Sequence, residues 1–107
     1  MKKIYNKLVR DNIPSIIEAS GAECKYRILE NEEYLELLDK KLDEELLEYH
    51  ADQSIEELAD LIEVIYAAAL ARGYTLDELE AIRKNKALTR GAFKNRIMLI
   101  ETEKHGG

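Results

Sequence analysis

Apolar positions recur at helical spacing through the middle of the chain and predict a helix over residues 31–50. Four of them share one face at heptad-like intervals: Leu35, Leu38, Leu42 and Tyr49. Asn31 is a residue type that commonly caps helix N-termini, and the two acidic residues after it suit a first turn. The position that would complete the heptad series is Glu45. The pattern therefore places a carboxylate where a core residue is expected.

A second helix is predicted directly afterwards, over residues 55–72. Ser54 and Glu57 have the spacing of a capping box, and Gly73 follows as a stop signal. Apolar residues cover most sides of this segment, which is typical of a buried central helix. Because only a short break at residues 52–54 separates the two helices, we expect them to pack antiparallel.

Shorter elements are predicted at both ends of the chain. Pro14 and Gly21 delimit a short first helix, and Thr75 opens a last helix that ends near Gly91. Residues 24–29 alternate partially and predict a short strand, which could pair with residues 96–100. Residues 96–100 fit a continued helix equally well. The predicted fold is mainly α: an antiparallel four-helix-type bundle, with an optional two-stranded β element, forming one domain over residues 1–107.

Composition narrows the class of protein. The 107 residues are 46% hydrophobic and 36% charged, and five Gly, one Pro and no Trp favour helices over a turn-rich β fold. The single Cys24 excludes an internal disulfide and a cysteine-based zinc site. The first residues lack the apolar segment of a secretory signal, and no run of about 18 apolar residues occurs. We therefore expect a cytoplasmic protein with no membrane partner.

Charge is distributed unevenly along the chain. The net charge of −6 disfavours nucleic acid as a partner. Residues 30–63 contain 14 of the 22 acidic residues, whereas residues 81–100 contain none and carry six basic ones. One part of the chain suits cations and another suits anions, and a metal-bound phosphate ester needs both.

Two acidic pairs lie at helical spacing in the predicted hairpin. Glu45 and Glu48 are three residues apart in its first helix, as are Glu57 and Asp60 in its second, so each pair shares a face. An antiparallel arrangement brings these faces together, and four carboxylates repel one another unless a cation neutralises them. Oxygen-only ligands select hard ions, which predicts Mg²⁺, with Mn²⁺ as a substitute.

Purely structural roles for these acids stay open. Glu48 alone is compatible with a solvated helix face, and Glu57 with closing the capping box that Ser54 begins. On that interpretation the chain is a non-catalytic helical dimerisation or nucleotide-binding module. Glu45 at a core-like position and Asp60 inside an apolar helix fit it less well.

The motifs resemble those of a known superfamily. Residues 41–48 (KLDEELLE) and 56–61 (EELADL) resemble the Glu-x-x-Glu and Glu-x-x-Asp signature of the MazG-like, all-alpha NTP pyrophosphatases. Residues 5–14 (YNKLVRDNIP) and 86–93 (KALTRGAF) resemble a small branch described as phosphoribosyl-ATP pyrophosphohydrolase-like. The likeness covers residues 5–99. The eight residues between Glu48 and Glu57 make a shorter connection than in many members, which bears on the shape of the substrate pocket.

The resemblance implies an Mg²⁺-dependent hydrolase that converts a nucleoside triphosphate to the monophosphate and pyrophosphate, as a homodimer or homotetramer. Hydrolysis of phosphoribosyl-ATP in histidine synthesis is the alternative. The expected metal ligands are Glu45, Glu48, Glu57 and Asp60. Glu44 or Glu48 would accept the proton of the attacking water. The candidate phosphate-binding residues are Lys86, Arg90, Lys84, Lys7 and Arg10; the cations near residue 90 equally suit a helix C-terminus.

Overall fold

The computed structural model describes residues 1–104 and residue 106, and this part of the chain forms four α-helices and no strand. The helices are α1 (Ile13–Ala19), α2 (Asn31–Asp52), α3 (Ile55–Ala71) and α4 (Leu76–Arg90). The prediction of a mainly helical fold is confirmed, with boundaries within about two residues of those expected for α2 and α3. None of the described helices is long and apolar enough to cross a membrane.

The helical hairpin of α2 and α3 forms where the sequence predicts it. Gln53 adopts a left-handed conformation with φ +58°, and its backbone N–H donates to the Tyr49 carbonyl, which ends α2. Ser54 then caps α3, because its Oγ accepts a hydrogen bond from the Glu57 backbone N–H at 3.3 Å. With so short a connection the two helices run antiparallel and pack against each other. At the other end of α2, Glu30 is the N-cap and Asn31 is already helical, which corrects the predicted cap.

Gly73 terminates α3 through a left-handed C-terminal turn. Its φ is +90°, and its backbone N–H donates to the Leu70 carbonyl while that of Tyr74 donates to Ala69. These two bonds form a Schellman motif and satisfy carbonyls that have no partner within the helix. The predicted stop signal is therefore confirmed.

The predicted β element is wrong for the described residues. Residues 24–29 are irregular. The Arg27 guanidinium donates two hydrogen bonds to the Glu33 carboxylate, at 2.9 and 2.7 Å, and the Ile28 side chain is exposed, so the alternation in this segment does not form a packed strand face. Arg96 has φ +58°, which interrupts any extended run at the start of residues 96–100. A two-stranded ribbon is in any case only marginally stable in water without a packed face.

The apolar core within one chain is small. Leu38 of α2 and Val64 of α3 are the buried hydrophobic residues of the described part, with 2% and 9% of their surfaces exposed. By contrast, Leu58, Ile62 and Ile65 of α3 are exposed. The expectation that α3 is buried on most sides is therefore not met within one chain.

The chain forms two compact units, Met1–Leu76 and Asp77–Gly107. The first contains α1, α2 and α3, and the second contains all of α4 except its first residue. That the whole chain makes up one domain stays a prediction.

Candidate metal centre

Five carboxylates gather where one face of α2 meets the first turns of α3. They form two groups of three, and within each group the candidate ligand oxygens all lie within 4.8 Å of one another. The groups are Glu44, Glu45 and Glu48, and Glu45, Glu57 and Asp60. Glu45 belongs to both, so it is the centre of the cluster. All four predicted metal ligands are thus brought together, with Glu44 beside them.

Glu45 is buried at the heptad position where the sequence pattern expects an apolar residue. Only 6% of its surface is exposed. Its Oε1 lies 3.3 Å from the Lys41 Nζ, but its Oε2 is shielded from solvent and has no hydrogen-bond partner in the described part of the chain. Burial raises the pKa of Glu45; the Lys41 contact opposes this rise, and the nearby charges of Glu48 and Asp60 add to it. Such an oxygen lacks the compensation that buried polar groups normally have.

Glu57 is the second residue with an uncompensated oxygen. Its backbone N–H donates to the capping Ser54 Oγ, but its Oε2 is inaccessible to solvent and has no hydrogen-bond partner within residues 1–104 or residue 106. The pKa of Glu57 is raised by burial first and then by the charges of Glu48, Asp60 and Glu45. The capping role therefore accounts for the Glu57 backbone and leaves this side-chain oxygen unexplained.

The N-terminal segment supplies cations to the edge of the cluster. Asn6 has φ +46°, a left-handed turn that asparagine tolerates better than most residues, and Lys7 follows it. The Lys7 Nζ lies 3.1 Å from Glu44 Oε1, and the Arg10 Nη2 lies 2.7 Å from Asp60 Oδ1. Both predicted phosphate-binding residues of this segment therefore lie beside the carboxylates.

Glu44 has two cationic partners, because the ammonium groups of Lys7 and Lys41 both contact its Oε1. Burial acts to raise its pKa, but hydrogen bonds and charges from Lys7 and Lys41 outweigh burial and lower it. The same hydrogen bond to Glu44 raises the pKa of Lys7. The lowered pKa makes Glu44 a weaker base than an ordinary glutamate, and Glu48, the other candidate general base, is exposed at the edge of the cluster.

Lys41 is a site residue that the sequence-based prediction missed. It contacts Glu44 Oε1 and Glu45 Oε1, each at 3.3 Å. The signal was present in the sequence, since Lys41 precedes these acids by three and four residues and such spacings bring helix side chains together.

The three predicted phosphate-binding residues of α4 lie in the second compact unit. Lys84, Lys86 and Arg90 are all exposed. Lys86 and Arg90 are four residues apart on α4 and so share a face. Their role in phosphate binding stays a prediction.

The donor set fits a hard divalent cation. Every candidate ligand is a carboxylate oxygen, as Mg²⁺ and Mn²⁺ prefer. The unpartnered oxygens of Glu45 and Glu57 are the acceptors that a cation would satisfy. Glu48 is exposed, so this side of the cluster is open to solvent.

Comparison with known proteins gives one partial match. A segment of 45 residues is 51% identical to an uncharacterized protein of Mycolicibacterium smegmatis, and it covers 42% of this chain and 46% of that protein. The matched segment thus spans less than half of the relative's length. No protein-family model matches the chain. No solved structure matches it either.

Proposed function

We propose that this protein is an Mg²⁺-dependent nucleoside triphosphate pyrophosphohydrolase of the MazG-like type, which cleaves a triphosphate to the monophosphate and pyrophosphate. The observation that supports the proposal is the buried Glu45 carboxylate, which belongs to both groups of acids and has one oxygen with no hydrogen-bond partner among the described residues. A carboxylate in this position is costly to the apo protein and useful to a bound cation. The resemblance of the acidic motifs to the superfamily signature supports the same activity.

In the proposed mechanism, Glu45, Glu48, Glu57 and Asp60 would hold the cation. Bound Mg²⁺ would supply neutralisation of the triphosphate and acidification of water. A carboxylate left free beside the cation, either Glu44 or Glu48, accepts the proton of a water whose oxygen bonds to the α-phosphorus. The bond from this phosphorus to the bridging oxygen breaks, and pyrophosphate leaves with the electron pair. Reactions of this kind depend mainly on positioning and on charge stabilisation.

The cations of the N-terminal segment have a role in this mechanism. Lys7 and Arg10 pair with Glu44 and Asp60. With a cation bound at the cluster, their ammonium and guanidinium groups would be available to bind phosphate oxygens instead. Arg10 is suited to this because a guanidinium binds two oxygens of a phosphate at once. Lys84, Lys86 and Arg90 are proposed as further phosphate ligands.

We also propose that the active protein is a homodimer or homotetramer in which paired α2–α3 hairpins complete an antiparallel four-helix bundle. Two buried hydrophobic residues are a small core for a chain of this length. The exposed Leu58, Ile62 and Ile65 recur every three or four residues and form one apolar stripe along α3. A second copy of the hairpin would cover this stripe. We further propose a cytoplasmic location for this enzyme, because its proposed substrates are nucleoside triphosphates.

The test is pyrophosphate release from a panel of nucleoside triphosphates and phosphoribosyl-ATP, with Mg²⁺ and then with EDTA. We expect metal-dependent release that Glu57→Gln abolishes. Glu56→Gln is the matched control, because Glu56 lies in the same turn of α3, is exposed and is outside the cluster. Release that persists in EDTA, or that both variants retain, would contradict the proposal. No release from any substrate would favour a non-catalytic module, and preference for phosphoribosyl-ATP would identify the histidine-synthesis activity.

A further inference from the structure

A recess lies between the N-terminal segment and α2, next to the acidic cluster. Its volume is about 180 Å³. The residues that matter for its chemistry are Asn6, Lys7, Leu37, Lys40, Lys41 and Glu44. Leu37 and Glu44 each lie three or four residues from the adjacent Lys40 and Lys41, so these four residues of α2 share one broad face of that helix.

The recess is positively charged. Three lysines line it against the single carboxylate of Glu44. Lys7 and Lys41 both contact the same oxygen, Glu44 Oε1, at 3.1 and 3.3 Å, so one acceptor holds two ammonium groups. Lys40 has no ion pair within the described part of the chain. An anion with several oxygens would give each of the three ammonium groups an acceptor.

The recess and the acidic cluster are neighbours along α2. Glu44 lines the recess and belongs to one of the two carboxylate groups. Lys41 contacts both Glu44 and Glu45, so it lies between them. The Lys41 Nζ lies 3.3 Å from Oε1 of Glu45, the residue shared by both carboxylate groups. A phosphate chain bound beside Glu45 is therefore within reach of Lys41.

We infer that this recess is a diphosphate subsite, which binds the terminal phosphates of the substrate and then the pyrophosphate that leaves, through Lys7, Lys40 and Lys41. The inference rests on the proposed function and specifies where its product is held. If Glu45 held a cation, it would no longer need Lys41 as a counter-charge, and Lys41 could bind phosphate oxygens together with Lys7 and Lys40. Asn6, at the strained turn before Lys7, supplies a side-chain amide at the same wall.

Lys40 is the residue that tests this inference most cleanly. Its side chain lines the recess and contacts none of the clustered acids, so its loss does not disturb the metal ligands. Lys25 is the matched control, because it is an exposed lysine of the same compact unit and does not line the recess.

Binding of preformed magnesium pyrophosphate to the full-length chain is measured by calorimetry, and binding of Mn²⁺ alone is measured separately. We expect Lys40→Ala to weaken pyrophosphate binding by about three- to tenfold, the range for one exposed charge-assisted contact. Lys25→Ala should bind as the wild type does, and neither change should alter Mn²⁺ affinity. Equal pyrophosphate affinity in both variants, with Mn²⁺ still bound, would overturn the subsite and leave the metal centre standing. Failure of the wild type to bind Mn²⁺ would overturn the proposed function and the subsite with it.

Discussion

Glu45→Gln should stabilise the protein when no metal is present. Glu45 is buried, and its Oε2 has no hydrogen-bond partner. The glutamine side chain would keep an oxygen for Lys41, and its amide group would face Glu48 and Asp60 as a donor. The change therefore removes a buried charge and satisfies the acids around it.

The magnitude follows from the burial of that oxygen. Leaving a buried polar group unsatisfied costs about 1–3 kcal/mol. The ion pair of Glu45 with Lys41, at 3.3 Å, offsets part of this cost, so we expect a gain near the lower limit, about 1 kcal/mol. For a unit of this size such a gain raises the melting temperature by about 4–8 °C.

The stability difference between Glu45→Gln and the wild type should depend on pH in a definite direction. Because the pKa of Glu45 is raised in the folded state, folding favours its protonated form. Its contribution to stability is fully present below the pKa of an unfolded glutamate and is lost as the pH rises through the folded-state pKa. Glu45→Gln should therefore match the wild type in acid and exceed it increasingly towards neutral pH.

Thermal unfolding in EDTA at fixed protein concentration, followed by circular dichroism from about pH 4 to about pH 8, measures this difference. Glu36→Gln is the control, since Glu36 is exposed on α2 and lies outside the cluster. Adding Mg²⁺ should stabilise the wild type, by about 2.7 kcal/mol at a hundredfold excess over Kd, and should stabilise Glu45→Gln much less. If Glu45→Gln were less stable than the wild type in EDTA at neutral pH, the prediction would be wrong. The Glu45 carboxylate would then be a structural group whose hydrogen bonds are satisfied.

Three further predictions follow from contacts elsewhere in the chain. Arg10→Ala should tighten Mn²⁺ binding a few-fold in calorimetry, because the Arg10 guanidinium competes with the cation for Asp60. The same change should lower stability in the absence of metal by less than about 1 kcal/mol. Weaker Mn²⁺ binding would contradict the competition between Arg10 and the cation. Ile62→Asp should lower the molar mass found by analytical ultracentrifugation to that of one chain, while Ile28→Asp, in an exposed irregular segment, should not; an unchanged mass for Ile62→Asp would place the interface elsewhere. Gly73→Ala should destabilise by about 1 kcal/mol, measured by urea unfolding, since φ +90° strains any residue with a Cβ; full stability would mean that the turn relaxes.

The sequence predicted the α2–α3 hairpin well because its signals are local. Ser54, Glu57 and Gly73 act within one turn of the residues that they cap, so their effect depends little on the rest of the fold. The predicted strands failed because a strand depends on a partner. The alternation at residues 24–29 carries no information about whether residues 96–100 are available to pair.

The candidate site likewise contains contacts that local spacing predicts and a contact that it does not. The grouping of Glu45, Glu48, Glu57 and Asp60 follows from helix periodicity and a short connection, and the structure brings these residues together. The Arg10–Asp60 ion pair joins residues 50 positions apart, and no spacing rule predicts it. Because of this pair, removing the Asp60 charge in the absence of metal would lose an ion pair as well as relieve repulsion among the acids.

The most direct test of the central claim is Mn²⁺ binding to the metal-stripped protein, followed by the electron paramagnetic resonance signal of free Mn²⁺. We predict saturable binding that Mg²⁺ displaces and that Glu36→Gln leaves unchanged. Glu45→Gln should weaken this binding at least about tenfold, since the loss of even a residue that only orients a metal ligand has an effect of that size. Absence of saturable binding, or equal binding by Glu45→Gln, would contradict the claim that the acids of this hairpin form a metal centre.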